Sequence, residues 1–155
     1  MVPCIAAAIF LALSFVIADA SWNVKRSAGG KSANECHLES DPVTMSDGYQ
    51  DIEGFIRLDH DEIRLVTGSP LDASFTDIGI AVDDNAFVKV EAVRDRKEAL
   101  FKTAYEQLLQ QFIAGSRVVA SLRFWPTWPA TGIQTASFSL VGFSKAHAEM
   151  TACAQ

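Results

Sequence analysis

The chain has 155 residues, of which 49% are hydrophobic and 21% are charged, a composition that fits one globular domain and argues against a disordered chain or a multi-domain enzyme. Lys and Arg number 13 against 19 Asp and Glu, so the formal charge at pH 7 is −6. This is the wrong sign for binding to nucleic acid or to an anionic membrane surface, and we expect neither as a partner.

The first 20 residues have the pattern of a cleaved secretory signal. Residues 5–17 form one apolar block that is too short to span a bilayer, and Ala18-Asp19-Ala20 follows as a small-x-small triplet typical of signal-peptidase sites. We therefore expect export to the periplasm or to the outside of the cell. The mature chain, residues 21–155, should form a single domain with no stable membrane insertion.

Export would leave two cysteines in the mature chain. Cys4 precedes the apolar block and is removed with the signal, whereas Cys36 and Cys153 remain. Disulfides persist in such compartments, so we expect these two residues to pair with each other. Two free thiols or an intermolecular bridge are the alternatives.

The alternation of apolar and polar residues predicts strands through most of the mature chain. The predicted strands cover residues 21–25, 36–38, 52–58, 63–66, 78–82, 86–93, 117–124 and 133–140. Polar breaks separate several of them, at residues 41–48, 59–62 and 83–85. Because short turns join antiparallel neighbours, we expect an antiparallel arrangement.

One long segment has the periodicity of a helix instead. Apolar pairs recur every four residues from Leu100 to Ile113 and predict an amphipathic helix over about residues 96–113. Asp95 and Glu98 resemble a capping pair at its start.

Gly115 stands where this helix should stop, and residues 143–153 predict a short closing helix. The predicted fold class is therefore mainly β. We expect an antiparallel β-sandwich with one packed amphipathic helix and a short C-terminal helix.

Motifs for catalysis or for metal and phosphate binding are incomplete. Gly-Lys-Ser at residues 30–32 lacks the glycine that a phosphate-binding loop places five positions earlier. The elbow-like residues 142–146 have His147 close by, but they lack the large parallel sheet and the downstream order, an acid and then a histidine, of a hydrolase. Asp59-His60-Asp61-Glu62 offers hard ligands for a divalent cation, but an exposed acidic turn explains it more simply. We predict no catalytic residues, no cofactor and no metal.

Large aromatic residues crowd one predicted turn, Phe124-Trp125-Pro126-Thr127-Trp128-Pro129. Proline cannot donate a ladder hydrogen bond, which confines this stretch to a turn or a strand edge. We predict that Trp125 and Trp128 lie at one end of the sheet, with Trp128 substantially exposed, and form a contact site for a partner. The alternative is that both rings cap the end of the core.

Several short motifs together resemble the invasion-associated locus B family. The motifs are Trp22-x-Val24, Cys36-x-Leu38, Val82-Asp83-Asp84, Leu108-Leu109-x-x-Phe112-x-x-Gly115 and, most specific, Ser139-Leu140-x-Gly142-Phe143-x-x-Ala146. At Arg26 and in residues 94–97 the chain lacks cysteines that are usual in the family.

The resemblance implies a small exported protein of the bacterial envelope, largely a β-sandwich and not an enzyme. Founding members of the family are linked to host-cell invasion, so it also implies an unknown envelope or host protein as the partner. The alternative function is a small-ligand carrier or inhibitor that uses a pocket between sheet and helix.

Overall fold

The computed structural model describes residues 21–26, 36–126 and 132–153, which form two antiparallel sheets and two helices. The predicted mainly β, sandwich-like fold is confirmed. The predicted signal, residues 1–20, lies outside the described residues.

The larger sheet has seven strands. They are β1 (Trp22–Arg26), β2 (Cys36–Ser40), β3 (Val43–Ser46), β4 (Asp51–Leu58), β5 (Ile63–Thr67), β8 (Ala92–Arg94) and β9 (Glu98–Phe101). Six of them follow the order β1-β2-β4-β5-β9-β8, and β3 pairs with β4. Every pairing is antiparallel, and short turns join pairs such as β3–β4, β4–β5 and β8–β9.

The smaller sheet has four strands. They are β6 (Gly79–Val82), β7 (Val88–Lys89), β10 (Arg117–Leu122) and β11 (Gln134–Ser139). Their order is β11-β10-β6-β7, so β10 and β6 are central.

The buried side chains of both sheets and both helices form one core. Helix α1 (Tyr105–Ala114) buries Leu108 and Phe112, and helix α2 (Phe143–Cys153) buries Phe143, Ala146 and Met150. The ring of Phe143 lies edge-on to those of Trp22 and Phe112, with centroids 4.9 and 5.3 Å away. This aromatic cluster joins β1 to both helices.

Two strands differ from the prediction. Strand β3 lies inside the predicted polar break 41–48, where Val43–Ser46 pair with β4 and Met45 lies opposite Ile52. The turn-forming residues on either side, Asp41-Pro42 and Asp47-Gly48, hid this short strand from the sequence pattern. The predicted strand 86–93 is two short strands, β7 and β8, which belong to different sheets.

The amphipathic helix is shorter than predicted. It begins at Tyr105 rather than near residue 96, and it ends before Gly115 as expected. Residues 98–101 form β9, in which Ala99 and Phe101 are buried while the alternate residues are partly exposed. Asp95 has a positive φ of 48° and turns the chain between β8 and β9, so it does not cap a helix.

A disulfide joins the end of α2 to the start of β2. The Cα atoms of Cys36 and Cys153 are 6.2 Å apart, within the range that a disulfide requires, and the two residues are 117 positions apart in the chain. The Arg26 guanidinium donates to Cys153 Sγ over 3.0 Å. Neither helix of the described residues is long and apolar enough to cross a membrane.

Candidate functional site

Two large aromatic side chains are exposed at one end of the molecule. Tyr49 is 55% exposed and Trp125 is 50% exposed. The Tyr49 hydroxyl donates to the Pro126 carbonyl oxygen over 3.0 Å, although the two residues are 77 positions apart. We call Tyr49, Trp125 and Pro126 the aromatic patch.

Asp47 positions Tyr49. It is buried in the hairpin between β3 and β4, where Oδ1 accepts hydrogen bonds from the amides of Tyr49 and Gln50 over 2.8 and 2.9 Å. Its Oδ2 accepts the Ser69 hydroxyl over 2.6 Å. Asp47 therefore fixes the hairpin tip to the loop after β5.

The electrostatics of Asp47 match this role. Burial acts to raise the pKa of its carboxyl, but the hydrogen bonds from Ser69, Gln50 and Tyr49 outweigh that effect and hold the pKa below its ordinary value. The carboxylate is the form that accepts these hydrogen bonds, so the hairpin is most stable when Asp47 is ionised.

Backbone hydrogen bonds also fix the position of Trp125. Phe124 is fully buried and pairs with Leu71 in an isolated β-bridge, and the Trp125 amide donates to the Pro70 carbonyl over 2.9 Å. Side chains alternate between the two faces of an extended chain. The ring of Phe124 therefore faces the core, and the ring of Trp125 faces solvent.

Arg123, two residues before Trp125, is held from two sides. Its guanidinium forms a bidentate ion pair with Asp77 and lies 4.4 Å from the centroid of the Phe75 ring. Its carbonyl accepts the amide of Asp72 over 2.8 Å. These contacts fix the chain where it leaves β10.

The structure places Trp125 at the end of the smaller sheet, exposed rather than in the core. Trp128, the other predicted contact residue, lies outside the described residues. Tyr49 was missed, because its place beside residues 125–126 depends on a contact between different sheets. The only local signal was a large aromatic residue in a polar hairpin, Ser46-Asp47-Gly48-Tyr49-Gln50.

The acidic turn at residues 59–62 is an ion-pair network rather than a simple exposed turn. Asp59 pairs with Arg57 and Arg64, and Glu62, which is only 7% exposed, pairs with Arg64 and Arg94. The expectation of an exposed turn is wrong for Glu62, because Arg64 of β5 and Arg94 of β8 pair with its carboxylate. Among the described residues, no group of three or more His, Cys, Asp or Glu could hold a metal ion.

The arginines also tune Asp59. Burial acts to raise the pKa of this carboxyl, while the hydrogen bonds and positive charges of Arg57 and Arg64 lower it, and the net result is a pKa below the ordinary value. Its oxygens are already engaged by arginine, so they are poor candidates for metal ligands.

A cleft of about 240 Å³ opens between α1 and the turn that joins β6 to β7. Its lining residues are mostly amides and small side chains: Asp83, Asn85, Gln110, Gln111, Ala114 and Gly115. It lies between α1 and the half of the smaller sheet that β6 and β7 form, whereas β11 forms the other edge of that sheet.

Comparisons with protein-family models, with curated proteins and with solved structures find no match for the chain.

Proposed function

We propose that the protein is exported and acts as a non-enzymatic binding module of the bacterial envelope, with the aromatic patch as its contact surface. This is the role implied by its resemblance to the invasion-associated locus B proteins, in envelope function or in contact with a host protein. The Cys36–Cys153 disulfide is compatible with an exported protein.

One observation carries the proposal: Tyr49 and Trp125 are half exposed, yet hydrogen bonds hold their backbones in place. Tyr and Trp are enriched among the residues that dominate binding energies, because they offer a large contact area with few rotatable bonds. A patch that is already ordered loses little conformational entropy when a partner docks.

Export is tested by the intact mass of the protein purified from the cell envelope. We expect cleavage after Ala20, giving a chain that starts at Ser21. A purified chain that still carries Met1 to Ala20 would contradict export through a cleaved signal.

The contact site is tested by capture of a partner from envelope extract, followed by affinity measurements with the purified partner. Trp125→Ala and Tyr49→Ala should each weaken binding by about 2 kcal/mol, which is roughly thirtyfold in Kd. Phe87→Ala is the matched control, since Phe87 is 45% exposed beside β7, at the far edge of the smaller sheet from β11.

Unfolding in urea separates a contact role from a structural one. Because its ring is half exposed, Trp125→Ala should change the free energy of unfolding by no more than about 1 kcal/mol. A loss of about 3–5 kcal/mol would mean that the ring supports the core. A partner that binds the wild type and Trp125→Ala equally would exclude the patch as its contact site.

The second candidate function is a small-ligand carrier. The cleft between α1 and the β6–β7 turn favours it, because it lies between sheet and helix and presents polar groups beside an apolar wall. A ligand bound there would leave the aromatic patch free.

A further inference from the structure

The cleft between α1 and the β6–β7 turn is lined by hydrogen-bond acceptors and by no basic side chain. Asp83 supplies a carboxylate, Asn85 and Gln110 supply carboxamides whose oxygens accept, and none of the six lining residues is Lys, Arg or His. The electrostatic potential of such a surface attracts cations and repels anions.

The carboxylate of Asp83 is held in a fixed place. Its two oxygens accept the amides of Ser116 and Arg117 over 2.8 and 3.1 Å, so each oxygen uses one lone pair and keeps another for a ligand. Gly115 allows this close approach, because a Cβ there would come within 2.9 Å of Asp83 Oδ2 and 2.7 Å of Val82 Cγ1.

Helix α1 adds negative potential at the same place. Its C-terminal end borders the cleft, and the carbonyl groups at that end carry the partial negative charge of the helix dipole. A basic side chain commonly offsets this charge, but the last turn of α1 has none.

Gln111 supplies an unpaired acceptor. Its Oε1 atom is shielded from water and has no hydrogen-bond partner, whereas buried polar atoms are usually paired. Rotation of the carboxamide would offer this oxygen to a donor that enters the cleft. Ala114 and the Gly115 Cα supply an apolar wall beside these acceptors.

We propose that this cleft binds a small organic cation, a primary ammonium or guanidinium group on a short alkyl chain. The charged head donates to Asp83 and to the amide oxygens, and the alkyl chain packs on the wall at Ala114. The inference rests on the carrier function proposed above and names its ligand class. A divalent metal fits less well, since the lining offers one carboxylate and hard cations such as Ca²⁺ take six to eight oxygen ligands.

The test uses three probes of nearly equal size: n-butylammonium, n-butanol and butyrate. Each is titrated into the mature protein while NMR follows the side-chain amide signals of Asn85, Gln110 and Gln111. We expect saturable shifts of these signals with n-butylammonium, and binding at least tenfold weaker for the neutral and anionic probes.

Charge substitutions at Gln110 test the electrostatic cause. Gln110 is exposed and lines the cleft, so its substitutions should leave the fold intact. Gln110→Lys should weaken n-butylammonium binding at least tenfold, and Gln110→Glu should strengthen it severalfold. Gln107→Lys makes the same charge change on an exposed residue of α1 outside the lining and should change the affinity by less than threefold.

The outcomes separate the ligand class from the carrier function. Equal binding of all three probes would overturn the cation assignment and keep a carrier. No saturable shift with any probe would overturn both. Equal effects of Gln110→Lys and Gln107→Lys would overturn the proposed location in the cleft.

Discussion

Asp47 shows how one buried carboxylate can determine the geometry of an exposed surface. It accepts three hydrogen bonds at the base of the β3–β4 hairpin, from Ser69 and from the amides of Tyr49 and Gln50. The bond from the Ser69 hydroxyl is buried, so without Asp47 that donor would be left unpaired on folding. The orientation of Tyr49 in the aromatic patch therefore depends on a residue that does not itself face a partner.

We expect Asp47→Ala to lower the free energy of unfolding by roughly 1–3 kcal/mol, because it leaves these donors without an acceptor. Chemical denaturation at pH 7 measures this loss. Ser46→Ala is the control: its hydroxyl accepts only the exposed Gly48 amide in the same hairpin, so its effect should be smaller.

The contribution of Asp47 should also depend on pH. Its pKa in the folded protein is below the ordinary aspartate value of 3.8, so its stabilising effect is present above about pH 4 and is lost as pH falls through the folded pKa. The difference in stability between wild type and Asp47→Asn should therefore shrink on acidification. A difference that grows at low pH would contradict the sign of this pKa shift.

At the scale of single elements, α1 illustrates a helix whose start is set by a distant residue. Its N-cap is Ala104, which makes no side-chain capping bond. Instead, Glu91, from the segment between β7 and β8, accepts the amides of Thr103 and Ala104 over 2.9 and 3.0 Å. An acidic group at a helix N-terminus also interacts favourably with the helix dipole.

We predict that Glu91→Gln weakens the first turn of α1 and lowers the free energy of unfolding by about 1 kcal/mol, the size of a typical capping contribution. Hydrogen exchange of the amides of residues 103–106 should speed up, while those of β4 should not. Glu53→Gln, at an exposed position of β4, is the control, and an equal effect of both variants would argue against the cap.

The pH dependence at Glu91 has the same sign as at Asp47. Burial acts to raise its pKa, the hydrogen bonds from the Thr103 and Ala104 amides lower it, and the net pKa is below the ordinary glutamate value of 4.5. The cap is therefore present above about pH 4.5 and lost as pH falls through the folded pKa. The Glu91→Gln effect should accordingly be smaller in acid than at neutral pH.

At the scale of the whole molecule, the disulfide connects the second strand of the larger sheet to the last helix. Cys36 is 1% exposed in β2 and Cys153 lies in the last turn of α2, so the bridge fixes α2 against the larger sheet. Phe143, Ala146 and Met150 of α2 are buried in the core, and their packing depends on that position.

We expect the double variant Cys36→Ala/Cys153→Ala to lose about 4–5 kcal/mol of unfolding free energy, the chain-entropy value for a loop of more than 100 residues. Urea denaturation of the variant and of the oxidised wild type measures the difference. Thiol titration of the denatured mature protein should find no free thiol. Two thiols per chain would mean that the bridge does not form in the cell.

Local patterns were sufficient for most of the fold. Alternation predicted β4, β5, β10 and β11, and the positions of the apolar residues predicted α2 over 143–153. These patterns suffice because the spacing of a few apolar residues already shows which face of a strand or helix is buried. The cysteine pair could be predicted for a different reason, since only Cys36 and Cys153 lie outside the predicted signal.

The rest was decided by tertiary structure. Leu100 and Phe101 fit a helical face and a strand equally well, and only pairing with β5 and β8 makes residues 98–101 a strand. The two halves of the aromatic patch come from different sheets, and the donors and acceptor that meet at Asp83 are more than 30 residues apart. Such juxtapositions depend on how distant segments pack together, and no local periodicity encodes them.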